Sequence, residues 1–599
     1  MPEFPDTLPQ WTLDDAYGSV NDARFLQEKS NAQKALQTLK EHLEGPALSV
    51  IEAVALMPVY EQAFESISSM VSFAYCASSI DITDTDASSA YAAAQAMLSE
   101  LDSISKPLFV ALGEMDGDDS RWNDPALSHW RFNVMEKKHS WKNGLSSQDN
   151  TTITAFAATN FFPVDAMFKR LNKTLNVSAQ KSNGEQVQLS HAQCMGVLKG
   201  ADDARLRQTA QKAVNAWYKE HAGFYVDLLN LLHGFRKTQF QLAGLNDWMR
   251  PSLEQNRISG QALEAAMSAI RARADEIREA ITARAPFFGK EKMSACDFFA
   301  PLPQKKASDA YIPYPQAIET LKAALKDVNP QIPEFVDMML DKHWLEARVD
   351  AKKAGGAFYS RFNRLKQPRV FTTYLGSFGS VLQQAHELGH AFHYWVMRDM
   401  PTNQTEFPMT LTEVASTFNE AAVRRYCAGH ATDDTERLTI LWQELLSCAN
   451  FCLQLPVRMS FEQRFIERRQ NALVTQAEAE AMMQSAWKEY MGEAIEDCDE
   501  YLWCYKPHFY MTDQYIYNYA YTIGYLISQG LLREQQKRGE TFPDFYREFL
   551  RDTGRMTVDE LIAKHMGFDA TMPDFWNQCL DQACSYIDEF KALTQKVEK

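Results

Sequence analysis

Three histidines and one glutamate fall within eleven residues in the stretch QQAHELGHAFH, from Gln383 to His393. The surrounding segment, Ser380 to Arg398, has no proline and consists mainly of good helix formers, which predicts a single helix. Four residues advance an α-helix by about 400°, so His386 and His390 lie about 40° apart on one face and can reach one metal ion. Glu387 lies about 100° around the helix, where its carboxylate suits a general base for a metal-activated water.

The H-E-x-x-H spacing indicates a hydrolytic metal site, because 13 histidines in 599 residues give only on the order of 0.02 chance matches. His393 follows His386 by seven residues and returns to the same face. Three ligands at these spacings would span about 10 Å of helix, which is too long for zinc bonds near 2.1 Å. We therefore expect His393 either to pack in the core or to support a ligating imidazole.

A third metal ligand must come from another element. Two prolines in RDMPTNQTEFPMT end the first helix, and LTEVASTFNEAAVRRYC resumes helical spacing with Glu413, Ser416 and Glu420 on one face. Glu413 can complete a tripod with the two histidines. Thr410 followed by Glu413 also fits a capping box, in which the carboxylate would only accept a backbone N–H. Spacing alone leaves both interpretations of Glu413 open.

The elements that position these residues are predicted to be mostly helical. Long segments rich in Ala, Leu, Glu, Gln and Lys carry apolar residues at helical spacing: Asp22 to Leu43, Leu48 to Ser79, Ala204 to Leu242 and Glu436 to Gln470. Two segments read as β-structure. Thr174 to Ser190 alternates around Asn183-Gly184 and predicts a hairpin. Arg369 to Leu375 predicts a strand just before the histidine helix. If FTTYLGS, Phe371 to Ser377, forms an open edge, an extended peptide can bind along it.

Charge and cysteine usage exclude several classes of partner. A formal net charge of −17 repels nucleic acid and anionic membrane surfaces, so we expect neither as a partner. The ten cysteines include no C-x-x-C pair, and no segment has the length and apolarity of a leader or a membrane span. These features predict a protein of the reducing cytoplasm.

Several motifs in order resemble one enzyme family. GSVLQQAHELGHAFH, TLTEVASTFNE and PHFY followed by YNYAYTIGYLIS are similar to the oligoendopeptidase F branch of the thimet oligopeptidase-like zinc metallopeptidases. The resemblance covers roughly residues 200 to 585. It implies one zinc ion held by His386, His390 and Glu413, with Glu387 as the catalytic glutamate. Glu420 would orient a ligating imidazole.

The resemblance also implies groups that stabilise the oxyanion of the tetrahedral intermediate. These are His508 and a tyrosine of Y-x-x-G-Y, either Tyr521 or Tyr525, whose distance in sequence from His508 leaves the choice open. Read from its residues alone, the tyrosine-rich segment fits a strand or a helix equally well. The candidate substrate contacts are Tyr374, Gly376, Tyr510 and the pair Gly355 and Gly356 in a segment resembling the family's glycine-bearing loop.

The implied fold is mainly α, a large two-lobed helical peptidase with a deep channel and a small β-sheet next to the active-site helix. The predicted division is an N-terminal helical lobe, 1–195, ending in the hairpin, and a catalytic domain, 196–599. The channel would admit short unfolded peptides and exclude folded proteins. The predicted function is hydrolysis of internal peptide bonds by a zinc-activated water. The alternatives are a carboxypeptidase or dipeptidyl carboxypeptidase of related fold, or an inactive metal-dependent peptide-binding protein.

Overall fold

A computed structural model describes residues 8–43, 47–142, 147–303 and 311–597 of the chain. Helices make up most of this part, which confirms the predicted mainly α class. The helices before residue 250 are α1 (Ala23–Leu43), α2 (Val50–Ile80), α3 (Thr85–Leu112), α4 (Pro125–Ser128), α5 (Arg131–Lys142), α6 (Ser147–Asn160), α7 (Pro163–Lys173), α8 (His191–Gly200) and α9 (Ala204–Leu242). The next helices are α10 (Arg250–Gln255), α11 (Gly260–Ala272), α12 (Ala274–Thr282), α13 (Tyr314–Lys326) and α14 (Gln331–Asp341).

The remaining helices follow the β-strands in the sequence. They are α15 (Phe378–Met397), α16 (Met409–Gly429), α17 (Asp434–Ala449), α18 (Leu455–Arg469), α19 (Gln476–Met491), α20 (Leu502–Tyr505), α21 (Asn518–Arg538), α22 (Phe542–Asp552), α23 (Val558–Met566) and α24 (Pro573–Val597). The predicted helices agree closely with α1, α2, α9 and α15. The segment predicted as helical from Glu436 to Gln470 contains α17 and α18, joined by a π-helical turn at Asn450–Gln454.

The predicted hairpin is confirmed. Strands β1 (Asn176–Gln180) and β2 (Gln186–Ser190) pair antiparallel, with Asn176 opposite Ser190. Gly184 has φ 88° in the turn, a left-handed conformation that glycine adopts at little cost.

A second sheet has three strands in the order β3-β5-β4: β3 (Leu345–Glu346), β4 (Phe358–Phe362) and β5 (Gln367–Phe371). β5 is parallel to β3 and antiparallel to β4. After β5, the N–H groups of Thr372 and Tyr374 still donate to the carbonyls of Glu346 (2.7 Å) and Ala347 (3.0 Å). Because β5 is the central strand, the part of the predicted strand from Arg369 to Phe371 has no open edge. Among the described residues, β4 pairs only with β5 and is an edge strand.

The chain folds into two compact units built from separated segments. Unit 1 comprises Met1–Lys142, Asp309–Val423 and Glu534–Leu561, and unit 2 comprises Asn143–Ser308, Arg424–Arg533 and Ile562–Lys599. In unit 1, one hydrophobic core joins α1, α2 and α3 to the second sheet through Phe362 and Phe371. The predicted boundary between residues 195 and 196 divides the chain into two continuous segments, whereas each unit combines separated segments. That boundary stays a prediction. No helix in the described ranges has the length and apolarity required to cross a bilayer.

Candidate active site

The helix that carries the histidines, α15, is fixed at its start and against the sheet. Ser377 caps the helix, its Oγ accepting a hydrogen bond from the N–H of Ser380 at 3.2 Å. Further along, the hydroxyl of Thr372, next to the end of β5, donates to Oε1 of Gln384 at 3.0 Å. Both side chains of this second bond are buried, which holds α15 in register with the strand that precedes it.

Helices α15 and α16 approach each other backbone to backbone at Gly389. A Cβ atom at Gly389 would lie 2.7 Å from the carbonyl oxygen of Ala415 and 2.7 Å from Cα of Ser416. Asn419 of α16 also donates from Nδ2 to the carbonyl of Ala385 at 3.3 Å. The absent side chain at Gly389 thus allows α16 to bring Glu413 next to the histidines of α15.

His386, His390 and Glu413 converge on one point. The two Nε2 atoms are 3.2 Å apart, and Oε2 of Glu413 lies 3.3 Å from Nε2 of His386 and 3.7 Å from Nε2 of His390. A circle through three atoms with these separations has a radius of about 2.0 Å, which matches zinc bonds to nitrogen and carboxylate oxygen. Tetrahedral ligands at about 2.1 Å would be about 3.4 Å apart, close to all three separations. The donor set therefore fits zinc.

The carboxylate of Glu413 faces the histidines and accepts a hydrogen bond from Ser416 Oγ at 3.0 Å. Burial raises the pKa of Glu413, but the hydrogen bond from His386 and the charges of both histidines outweigh burial and lower this pKa to about 2. This geometry favours the ligand interpretation over the helix cap.

Glu420 lies where it can orient a ligand. Its Oε1 is 2.6 Å from Nδ1 of His386, leaving Nε2 of that imidazole directed at the convergence point. Burial lowers the pKa of His386, but Glu413 and Glu420 together raise it well above its usual value. A carboxylate that accepts the Nδ1 proton fixes the tautomer and the ring orientation of a ligating histidine.

His390 and Glu387 have the protonation properties that their predicted roles need. Burial lowers the pKa of His390 to about 4, so its imidazole is neutral, as a metal ligand must be. Burial is also the main cause that raises the pKa of Glu387 to about 7. A carboxyl group with this pKa can accept and return a proton near neutral pH. The ring of Tyr359 stacks on His390, with centroids 5.4 Å apart.

His393 faces away from this cluster. Its Nε2 lies 2.8 Å from Oγ1 of Thr553 and 3.3 Å from the carbonyl of Leu550, and its ring stacks on Phe407 at 4.1 Å. Burial lowers the pKa of His393 to about 3. Of the two expectations for His393, packing is the one that fits the structure.

The candidate oxyanion donors lie in unit 2. His508 is in a single 3₁₀ turn, Pro507–Phe509, and its Nε2 is 3.4 Å from the hydroxyl oxygen of Tyr521, in the first turn of α21. Its ring stacks on Tyr517 at 5.6 Å. Burial lowers the pKa of His508 to about 3, with help from the charges of Arg458 and Lys506, so the imidazole is neutral.

Tyr521 and Tyr525 differ in environment. The ring of Tyr525 is 1% exposed and stacks on Phe451 at 4.7 Å, which makes it part of the core of unit 2. Only Tyr521 approaches His508 among the described contacts of the two tyrosines. The pairing favours Tyr521 as the donor partner of His508.

Two predicted substrate contacts are buried. Tyr510 is fully buried, donates its hydroxyl hydrogen to the carbonyl of Trp503 at 3.0 Å and stacks on Phe168 at 4.2 Å. Tyr374 is 1% exposed and donates to the carbonyl of Ile312 at 2.8 Å. Both rings pack in the protein interior, and each hydroxyl group donates to a backbone carbonyl. We therefore propose neither side chain as a contact of a peptide.

The three predicted glycine contacts also divide. Gly376 has φ 74°, and its carbonyl accepts from Ile312 N at 2.8 Å, while a Cβ there would meet the ring of Tyr311. The turn therefore requires glycine at position 376. Gly355 and Gly356 are exposed, have open space where a Cβ would be, and come just before edge strand β4. Gly355 and Gly356 therefore remain candidates for contact with a peptide.

Sequence reasoning missed two residues that shape the site. Tyr359 lies in FYSRF, a short alternating run whose strand signal was available in the sequence. Gly389 lies inside the H-E-x-x-H motif, where an isolated glycine in a helix signals close packing.

One protein family matches the chain, Peptidase family M3, over residues 197–581. The sequence is 23% identical over 434 residues to oligopeptidase PepF of Bacillus subtilis (strain 168), a match covering 70% of this chain and 62% of that protein. It is 21% identical over 422 residues to an oligoendopeptidase F homolog of Lactococcus lactis, covering 70% of this chain and 69% of that protein.

Solved structures share the fold. A crystal structure from Chlamydophila abortus superposes with a TM-score of 0.81 at 18% identity, covering 98% of each chain. The crystal structure of oligoendopeptidase-F from Enterococcus faecium has a TM-score of 0.69 at 18% identity, covering 95% of this chain and 98% of that one.

Proposed function

Since the chain belongs to peptidase family M3, we propose that it is a zinc-dependent oligoendopeptidase that hydrolyses internal bonds of short, unfolded peptides. The observation that carries this proposal is the triangle of His386 Nε2, His390 Nε2 and Glu413 Oε2. These three residues would hold the ion, with Glu420 orienting His386. When bound, zinc supplies a Lewis acid that polarises the peptide carbonyl and lowers the pKa of a water molecule to about 7.

Glu387 moves the proton in the proposed reaction. Its carboxylate accepts a proton from the attacking water and passes that proton to the amine that leaves as the C–N bond breaks. The pKa of about 7 produced by burial suits both transfers.

His508 and Tyr521 are the proposed hydrogen-bond donors to the oxyanion, a role taken from the family resemblance. Support within unit 2 is their 3.4 Å approach and the neutral imidazole of His508. Loss of either donor should lower kcat by about 10² to 10³.

Peptide substrates are proposed to bind along the open edge of β4. The N–H groups of Val370 and Thr372 point to the β3 side, so Gln367, Arg369 and Phe371 bond β4. Tyr359 and Arg361 of β4 therefore direct their backbone groups outward. An extended peptide can add to such an edge by main-chain hydrogen bonds that depend little on sequence. Gly355 and Gly356, just before β4, would let a peptide approach the backbone closely.

Metal analysis combined with digestion tests the proposal. Purified protein should contain one equivalent of zinc, lose cleavage of a fluorogenic peptide when a chelator removes the metal, and regain cleavage when zinc is restored. Parallel reconstitution with cobalt and manganese identifies the metal that supports turnover best, because the same ligands accept all three. Full activity of metal-free protein would refute the proposal.

Peptides blocked at both ends separate the endopeptidase from the end-trimming alternatives. An endopeptidase cuts such peptides internally, whereas a carboxypeptidase or dipeptidyl carboxypeptidase needs a free C-terminus. Products identified by mass spectrometry decide between them. An inactive peptide-binding protein would retain the blocked peptide uncut, an outcome that the position of Glu387 beside the triangle disfavours. A folded protein carrying the same cleavable sequence should resist digestion until it is unfolded.

We also propose a reducing, cytoplasmic location. Support comes from the ten cysteines, which are all unpaired and mostly buried. The acidic net charge of −17 supports peptides as partners in preference to nucleic acid or anionic lipid.

A further inference from the structure

Three aromatic rings from α2, α3 and the start of β4 form one cluster in unit 1. The ring centroid of Tyr75 lies 4.6 Å from that of Phe358 and 5.4 Å from that of Tyr91. Nε2 of Gln95 donates to the hydroxyl of Tyr91 at 2.9 Å, which fixes the orientation of the Tyr91 ring. We call Tyr75, Tyr91 and Phe358 the aromatic shelf.

Tyr75 is the exposed member of the aromatic shelf. It is 37% exposed, whereas Phe73 on the same helix is 1% exposed. Phe358 is covered from within the core by Trp11 and Phe371, whose ring centroids are 6.3 Å and 4.7 Å away. The shelf therefore has a partly buried base, Phe358, and one large ring, Tyr75, that is exposed to solvent. A single exposed ring is common on protein surfaces, so its position decides its meaning.

That position is beside the edge strand. Successive side chains of a strand point to opposite faces, so Tyr359 faces α15 and His390, while Phe358 faces α2 and Tyr75. A peptide added along the outer edge of β4 would likewise direct alternate side chains to the two faces. A side chain on the α2 face, near the start of β4, would meet the exposed ring of Tyr75.

The aromatic shelf is also connected to the proposed metal site through β4. Phe358 of the shelf is followed by Tyr359, whose ring stacks on His390 with centroids 5.4 Å apart. His390 is one of the three converging groups. The first two residues of β4 therefore connect the shelf, on one face of the strand, to a proposed metal ligand on the other.

We propose that the aromatic shelf is a subsite for a large apolar or aromatic side chain of the peptide, close to the bond that is cut. The shelf has no charged group among its three members, and ring-to-ring contacts favour an aromatic partner over a small one. This inference rests on the proposed oligoendopeptidase function. Main-chain binding along β4 depends little on peptide sequence, and the shelf would add a preference for one type of side chain.

Paired peptides test the subsite. Each pair is blocked at both ends and differs only by Phe or Ala at one position, scanned from three residues before the cut to three after it. For wild type, kcat/KM for Phe should exceed that for Ala at one or more positions. Tyr75→Ala should lower this ratio at the preferred position about three- to tenfold, mainly through KM, because one ring contact is lost. Tyr75→Phe should preserve the ratio, because the ring remains.

Ile51→Ala is the matched control, since Ile51 is on the same helix and is 79% exposed but lies near its opposite end. The ratio should stay at the wild-type value in this control. Partial misfolding of a variant cancels in the ratio, because one enzyme preparation cuts both peptides. A Phe/Ala ratio unchanged in Tyr75→Ala, or lowered equally in Ile51→Ala, would overturn the subsite alone. Failure of wild type to cut any blocked peptide would overturn the proposed function, and the subsite with it.

Discussion

Glu387 is the residue whose contribution can be separated from metal binding, because it is next to the ligands without being one of the three converging groups. We expect Glu387→Gln to retain zinc and to lose at least about 10² in kcat, since an amide cannot accept the proton of water. Zinc content by elemental analysis and single-substrate kinetics measure the two effects. A variant with nearly normal kcat would eliminate the general-base role.

Glu413 tests the metal tripod itself. Glu413→Ala should fail to retain zinc through dialysis, because two histidines alone leave the ion weakly held. Glu420→Ala should keep zinc but bind it about 10- to 100-fold more weakly, since only the orientation of His386 is lost. Thr410→Ala is the control for the capping interpretation and should leave zinc content intact. Equal zinc in Glu413→Ala and wild type would reassign Glu413 to a structural role.

Glu462 in unit 2 makes stability depend on pH. It is 2% exposed, and burial raises its pKa to about 7, partly offset by the charge of Arg236 and a hydrogen bond from Asn518. A carboxyl group with a raised folded-state pKa stabilises the fold below its unfolded pKa of about 4.5, and that contribution disappears as pH rises through 7.

Glu462→Gln removes this ionisation while keeping an acceptor for Asn518. The free energy of unfolding of the variant, minus that of wild type, should therefore increase by an amount on the order of 2–3 kcal/mol between pH 5 and pH 8. The difference in Tm, variant minus wild type, should increase in the same direction. Thermal unfolding at both pH values measures this difference. A difference independent of pH would show that Glu462 is not protonated in the folded state near neutrality.

At the scale of elements, the distance between α15 and α16 decides whether a tripod exists. Gly389→Ala would place a Cβ 2.7 Å from the backbone of α16, so the helices must separate. We expect weaker zinc binding and a Tm lowered by several degrees, because overpacking costs about 1–3 kcal/mol. Gly379→Ala, in the same helix with ordinary contact distances, should change neither property. Normal zinc affinity in Gly389→Ala would contradict the close-approach argument.

Local geometry explains what the sequence could predict about the site. The spacing of His386 and His390 determines their common face once the segment is helical, and α15 occupies nearly the predicted residues. The choice between ligand and cap for Glu413 depends on the contact at Gly389, between residues of different helices. Spacing along one helix contains no information about that contact.

The position of the predicted strand within its sheet could not be predicted for a similar reason. Its residues form β5, but its partner β3 has only two residues, Leu345 and Glu346, too few to produce a recognisable pattern. The burial of Tyr374 and Tyr510 likewise depends on distant partners, the carbonyl of Ile312 and the ring of Phe168. A tyrosine in a motif reads the same in sequence whether it faces substrate or core.

At the scale of the whole molecule, unit 1 contains the metal ligands and also the N-terminal helices α1 to α3. Phe362 and Phe371 of the sheet beside α15 are in the same hydrophobic core as those helices. The proposed active site therefore depends on residues far from it in sequence.

A fragment comprising residues 196–599 tests the boundary predicted after residue 195. We expect this fragment to aggregate or to bind a hydrophobic dye, and to lose zinc, because the apolar face of the sheet would be exposed to water. Gel filtration, dye fluorescence and zinc content measure the outcome against full-length protein. A monomeric fragment with bound zinc and peptidase activity would establish the catalytic domain as autonomous.

The interleaved segments of unit 1 have a consequence for synthesis in the cell. Helices α1 to α3 leave the ribosome long before the strands that cover their apolar sides, because β4 begins roughly 250 residues after α3 ends. At about 5–20 residues per second, that surface stays uncovered for roughly 12 to 50 s. We expect the growing polypeptide to be a client of ribosome-associated chaperones, and ribosome profiling of chaperone-bound nascent chains should show their release only after residue 371 has emerged.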